Sequence, residues 1–242
     1  AKFNAAGGQY GIITNIYAYI ALLIIILTYG METTFFRFMN RQGENPEKVY
    51  ATTLRMVATT SLVFVCLLWA FLHPIAGAIG YPDHPEFIMI MGTCVAIDAF
   101  TAIPFAYLRL KHKALKFALL KMVSIVVNLV GVSMYLIVLP DMHVNFLGIY
   151  DAHFSLEVVW IFWIELSGSI LTLALLSKAL KGFRNPFDKA TCKRMLSYTW
   201  PLLVMGLAGQ LNQCASQIIF PYAFSGNADE ARVQLGIYGA CI

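Results

Sequence analysis

Six long apolar stretches, joined by connections that alternate between strongly basic and nearly uncharged, limit what this chain can fold into more than any other feature. The stretches run over residues 11–38, 52–79, 86–110, 115–139, 157–180 and 201–224. Each is longer than the ~20 residues with which a helix crosses ~30 Å of hydrocarbon. Membrane strands would alternate polar and apolar over about ten residues, and these runs are continuous. The spans are expected to be helices.

The connections set their direction. Arg37, Arg41, Lys48 and Arg55 follow the first stretch, Arg109, Lys111, Lys113, Lys116 and Lys121 the third, and Lys178, Lys181, Arg184, Lys189, Lys193 and Arg194 the fifth. Fifteen of the seventeen basic residues thus lie in or beside alternate connections, and the other connections hold only Arg232. Lysine and arginine stay cytoplasmic during insertion. The first stretch therefore enters from outside and ends inside, and the rest alternate. Composition agrees: 59% of the 242 residues are hydrophobic and 12% charged, about half the charge of a soluble domain. Cys66, Cys94, Cys192, Cys214 and Cys241 lack C-x-x-C spacing, and four of them lie in apolar stretches, so neither a disulfide framework nor a zinc site is implied.

The chain reads as the middle of a longer protein, since it starts at Ala1 and ends just as a seventh apolar segment, VQLGIYGACI, begins. Gln9-Tyr10-Gly11-Ile12 opens the first helix and Gln234-Leu235-Gly236-Ile237 the seventh, 225 residues later. Three identities in four aligned positions fit chance as well as an internal repeat of two similar halves. Under the repeat reading, the helix from Pro201, where proline suits a first turn, matches one upstream of Ala1.

Two ionisable residues lie deep in apolar stretches, Asp98 and Glu165. Such groups face protein or water rather than lipid. Asp98 shares a face with Thr101, Phe105 and Arg109, with Pro104 in the same helix as a candidate kink. Its role is either to lock the bundle by hydrogen bonding or to serve substrate or ion passage. Further polar stripes run through Lys121, Ser124, Asn128, Gly131 and Tyr135, through Glu165, Ser169 and Thr172, and through Gly206, Gln210, Gln213 and Gln217. One stripe alone reads as a helix seam, whereas four in one bundle suggest a polar central cavity. Arg37, after Phe35-Phe36, either snorkels to headgroups or offers its planar fork to a lipid phosphate. No G-x-S-x-G, H-E-x-x-H, P-loop or dinucleotide fingerprint is present, and no two histidines have metal-ligand spacing on one helical face.

The run QYGIITNIYAYIALLIIILTYGMETTFFRF resembles the second helix of bacterial polysaccharide (O-antigen type) flippases, in the multidrug/oligosaccharidyl-lipid/polysaccharide exporter superfamily. YTWPLLVMGLAGQLNQCASQIIFPY, followed by QLGIYGAC, is similar to that family's seventh helix and the start of its eighth. The resemblance covers essentially the whole chain. It implies an all-α polytopic transmembrane helical bundle of 12–14 helices in two lobes. Residues 1–182 would be helices two to six of the first lobe, 183–200 a cytoplasmic inter-lobe linker, and 201–242 the start of the second lobe.

The implied activity is to turn an undecaprenyl-diphosphate-linked oligosaccharide from the inner to the outer leaflet of the bacterial cytoplasmic membrane by alternating access. Arg37 would contact the diphosphate, with Arg55 and Arg109 near the same mouth. Asn128, Gln210, Gln213 and Gln217 would meet the substrate, and Asp98 and Glu165 would serve ion or proton coupling. Relatives of this pattern often carry an acidic–basic pair where this chain has Ser216-Gln217, which puts charge coupling by that helix in doubt. The expected partners are the lipid-linked oligosaccharide, membrane lipid, a polysaccharide polymerase and glycosyltransferases, with no nucleic acid, cofactor or metal. Two other readings stand: a drug or peptidoglycan-precursor exporter of the same architecture, and a membrane enzyme acting on polyprenyl lipids.

Overall fold

A computed structural model describes residues 9–135, 158–177, 180, 183, 186–223 and 228–240. Among them are nine helices and no strand: α1 (Gln9–Thr28), α2 (Met31–Met39), α3 (Pro46–Ala70), α4 (Leu72–Ile79), α5 (Pro85–Leu110), α6 (Ala114–Ser133), α7 (Val158–Leu175), α8 (Lys189–Ala223) and α9 (Ala228–Ala240). Four spans, Tyr10–Met39, Pro46–Ala70, Pro85–Leu110 and Ala114–Ser133, are long and apolar enough to cross a membrane, and Val159–Leu175 is apolar but shorter. This is the polytopic helical bundle that the sequence predicts.

Two of the expected spans are broken. Tyr29 and Gly30 take left-handed backbone angles, with φ of 34° and 68°, and separate α1 from α2. Glycine is required at the second position for a further reason: a Cβ on Gly30 would lie 2.7 Å from the Leu202 Cβ of α8. The second break, at Phe71, divides α3 from α4. Pro74 accounts for it, because a proline ring excludes the carbonyl four residues earlier, at Ala70, where α3 stops. Asn45 caps the start of α3, its side chain accepting from the Glu47 and Lys48 amides at 3.0 and 3.4 Å, with Pro46 in the first turn.

Helix α8 also departs from expectation. It begins at Lys189, so Pro201 lies inside it rather than in its first turn. Asp188 provides the earlier start: its carboxylate accepts from the Ala190 amide at 2.9 Å and the Thr191 hydroxyl at 2.6 Å. At 35 residues the helix is about 52 Å long. Gln210, Asn212, Gln213 and Gln217 keep it from the apolarity of the four spans.

Helix α5 is the hub, touching α1, α2, α3, α4, α6 and α7. It runs unbroken through Pro104. Helix α6 is its opposite: no residue is fully buried, and Leu115, Leu119, Met122, Ile125 and Leu129 are exposed, as suits a surface turned to lipid tails.

The apolar packing gathers at the two ends. Met31, Phe35, Tyr50, Leu54, Ile103 and Met195 form one cluster, and Ile16, Tyr81, Phe87, Ile90, Phe162 and Leu166 the other. The basic connections meet at the first of these ends. There Arg109 pairs with Glu32, Arg194 with Glu44, and Arg55 reaches the Phe183 carbonyl. That is the common side required by the alternating charge pattern.

At the opposite end α1 and α9 cross with their backbones almost in contact. A Cβ on Gly236 would lie 3.0 Å from the Gly11 nitrogen, and one on Gly239 2.6 Å from the Thr14 hydroxyl. Both pairs are 225 residues apart in sequence, the offset of the QYGI and QLGI motifs. Residues that meet their own counterparts are what two elements around a two-fold axis produce.

Candidate functional site: a membrane-depth acidic pair and a basic mouth

Between the two apolar ends lies a polar layer built by three helices. Asp98 is the midpoint residue of α5, with an exposed side chain. One carboxylate oxygen accepts from the Ser169 hydroxyl of α7 at 2.8 Å. The Cys94 sulfur, one turn earlier on α5, lies 3.2 Å from the same hydroxyl and 3.9 Å from the other Asp98 oxygen. One turn before Ser169, Glu165 accepts from the Tyr17 hydroxyl of α1. Of the stripe expected on α7, Glu165 meets α1 and Ser169 meets α5, while the buried Thr172 hydroxyl donates to the Gly168 carbonyl of its own helix at 2.8 Å. Lys121 of α6 lies 5.3 Å over the Phe105 ring of α5.

Two carboxylates at this depth need compensation by a proton, a cation or a fixed donor. Ser169 and Tyr17 each supply one hydroxyl, which leaves acceptor capacity on both acids. The layer is thus chemically able to take up and release a proton or a small cation. Among the described residues, no three His, Cys, Asp or Glu side chains gather as a metal site.

Asn128 belongs to a seam. Its Oδ1 is buried and accepts no hydrogen bond from the described residues. It presses on Gly168 of α7, where a Cβ would lie 2.2 Å away. Gly131, one turn on, backs onto Ile164 in the same way. Asn128 and Gly131 of the α6 stripe thus pack toward α7.

The three arginines expected at one mouth do share an end of the bundle, in different settings. Arg37, exposed at the end of α2, holds its guanidinium carbon 4.2 Å above the Tyr198 ring of α8. Arg109 pairs with Glu32 and lies between the rings of Phe36 and Phe117, at 5.4 and 5.2 Å. Arg55 donates to the Phe183 carbonyl at 2.6 Å. It lines a cleft of about 690 Å³ with Tyr29, Met56, Thr59, Thr60 and Trp200. Asp188, capping α8 nearby, has its carboxyl held below the usual range, first by the Thr191 hydroxyl and then by the Ala190 amide.

The α8 amides are divided. Gln213 is exposed and Gln217 half-buried, while the Gln210 amide donates to the Cys214 sulfur at 3.0 Å. The Gln217 backbone carbonyl accepts from Asn15 of α1 at 3.1 Å, and Asn15 in turn accepts from the Tyr81 hydroxyl at 3.3 Å. Asn15, Tyr17, Cys94 and Tyr198 are contributors that sequence reasoning passed over. Asn15 alone carried a signal, as a buried amide within an apolar run.

No curated protein and no solved structure matches the chain. The family model for polysaccharide biosynthesis proteins matches residues 8–241, nearly the full length. With its membrane-spanning bundle, basic mouth and acid-bearing polar layer, the chain belongs to the polysaccharide biosynthesis protein family, which includes O-antigen flippase-type proteins.

Proposed function

We propose that this protein is a flippase rather than an enzyme. It moves a polyprenyl-diphosphate-linked oligosaccharide from the inner to the outer leaflet of the bacterial cytoplasmic membrane. The observation that carries the reading is the assembly of Arg37, Arg55 and Arg109 at one end of a bundle whose mid-depth holds Asp98 and Glu165. A diphosphate headgroup presents paired oxyanions, for which planar guanidinium forks are well suited. The headgroup enters at the basic mouth, with Arg37 as its first contact. The exposed amide of Gln213 and the half-buried one of Gln217 offer donors and acceptors to sugar hydroxyls. Asp98 and Glu165 exchange the proton or cation whose gradient drives the cycle, and their hydroxyl partners on α1 and α7 tie that exchange to helix position. Glycosyltransferases supply the substrate on the inner face, and a polymerase consumes it on the outer.

The test is deletion of the gene, scored for lipid-linked oligosaccharide on the inner leaflet. Build-up there, relieved by the wild-type gene and not by Arg37→Ala expressed at normal level, is the expected result. Unchanged polysaccharide export with Arg37→Ala would sink the assignment of Arg37 to the headgroup.

A further inference from the structure

Where helix α8 enters the bundle, one of its faces is pinned at successive turns to α2, α3 and the connection between them. Thr191 is buried and accepts from Arg194 at 3.0 Å. Arg194 then reaches both carboxylate oxygens of Glu44, at 2.9 and 3.2 Å. That carboxylate side chain is 11% exposed and the arginine 49%. Met195 is fully buried, with its sulfur 3.8 Å from the Thr53 hydroxyl of α3. Four residues after Arg194, and so on the same face, Tyr198 lies under Arg37 at 4.2 Å and packs against Phe38 at 6.5 Å. One turn further on, Leu202 fills the notch left by Gly30.

The Arg37 guanidinium therefore already has an occupant. A cation over an aromatic face is attracted by the ring, and a phosphate oxyanion is a stronger partner for the same group. The two compete for one side chain.

We propose that Tyr198 is a gate on Arg37: a lipid diphosphate takes the guanidinium from the ring, and α8 is thereby released from α2 and α3, opening the basic mouth. This rests on the reading of Arg37 as a headgroup ligand. Without a headgroup, Tyr198 and the Glu44–Arg194 pair hold α8 against α2–α3 and the mouth stays closed. With one bound, Tyr198 loses its cation, and the contact is left to the Glu44–Arg194 pair and the packing of Met195 and Leu202. Substrate arrival and opening become a single event, so the mouth does not open on an empty site. Tyr198 is a positioning residue here, and its ring rather than its hydroxyl does the work.

The test uses the full chain in phosphatidylcholine nanodiscs, where no anionic lipid competes, with farnesyl diphosphate as probe. Spin labels at Glu47→Cys and Lys193→Cys, with the native cysteines replaced, report the distance across the contact. The expected result is a longer distance on adding probe in the wild-type background, and the same in Tyr198→Phe, which keeps a ring face. Tyr198→Leu should start at the longer distance and bind the probe about two- to five-fold tighter, the equivalent of one surface cation–π contact. A Tyr198→Leu protein with wild-type distance and affinity overturns the gate. If at the same time Arg37→Gln has lost the probe, the headgroup reading survives and the gate alone falls. If Arg37→Gln binds the probe as wild type does, Arg37 is not the headgroup ligand and both fall.

Discussion

Replacing Gly30 by alanine tests how closely α8 approaches the joint between α1 and α2. Two costs add at this position. The backbone φ of 68° disfavours an L side chain by about 1–2 kcal/mol. The new Cβ would also meet the Leu202 Cβ at 2.7 Å, an atom fixed to its backbone that no rotamer change can move. Overpacking of that kind costs about 1–3 kcal/mol, so the two together come to about 2–5 kcal/mol. Gly43 isolates the first cost, since its φ is 86° and nothing lies within 4 Å of a Cβ there.

The chain carries its own reporter. Cys94 and Cys214 are buried free thiols and Cys66 is an exposed one. A dye that fluoresces on thiol capture therefore gives a baseline from Cys66 and a transition when the bundle opens. At about 2–4 °C per kcal/mol for a chain of this size, Gly43→Ala should lower the midpoint by a few degrees. Gly30→Ala should lower it by roughly 5–20 °C. Equal shifts for the two variants would refute the close approach of α8 and, with it, the pinned face on which the Tyr198 gate depends.

Two further outcomes are expected. Asp188 has a depressed carboxyl pKa in the folded chain, so its cap is fully present above the ordinary carboxylate range, about pH 4, and is lost as pH falls through the lower folded value. Amide exchange at Ala190 and Thr191 should quicken below about pH 4, whereas Asp188→Asn, an equally good cap without a titrating group, should show no such acid transition; quickening of the same size in Asp188→Asn would count against the assignment. Asp98→Asn keeps an acceptor for Ser169, so it should fold and express as wild type yet lose gradient-driven transport by more than about tenfold, the scale of a ~1.4 kcal/mol coupling term; undiminished gradient-driven transport in reconstituted vesicles would remove Asp98 from the coupling role.

The helical character of the spans, the sharing of one end by the basic connections, and the placement of Asp98 and Glu165 within α5 and α7 were legible in the sequence. Each follows from a rule that acts on a single segment: length against hydrocarbon thickness, charge against the translocation machinery, acid against lipid. The breaks were less so. Pro74 gave a readable reason for the gap at Phe71, but the left-handed pair Tyr29–Gly30 depends on where Leu202 passes, 172 positions later. Pro201 matched a first-turn position by local preference, while the Asp188 cap and the buried Thr191 and Met195 carry the helix twelve residues further toward its start. The same limit applies at the site. A stripe on α7 can be read from spacing, yet that Tyr17 of α1 meets Glu165 and that Asn128 faces Gly168 are facts of helix packing between distant segments. Gln217 shows this most plainly, because its backbone, and not its amide, is the group that Asn15 grasps.

Helix α8 joins the two regions as one beam. Thr191, Arg194, Tyr198 and Leu202 sit near its N-terminal end, and Gln213 and Gln217 about 20–30 Å farther along. Asn15 fastens the beam at Gln217, so the sideways step proposed at Tyr198 would turn into rotation about that fastening, and the amides near it would be swung rather than carried. Proline at 201 removes the backbone tie to the Ser197 carbonyl, and the helix nevertheless runs on unbroken from Lys189 to Ala223.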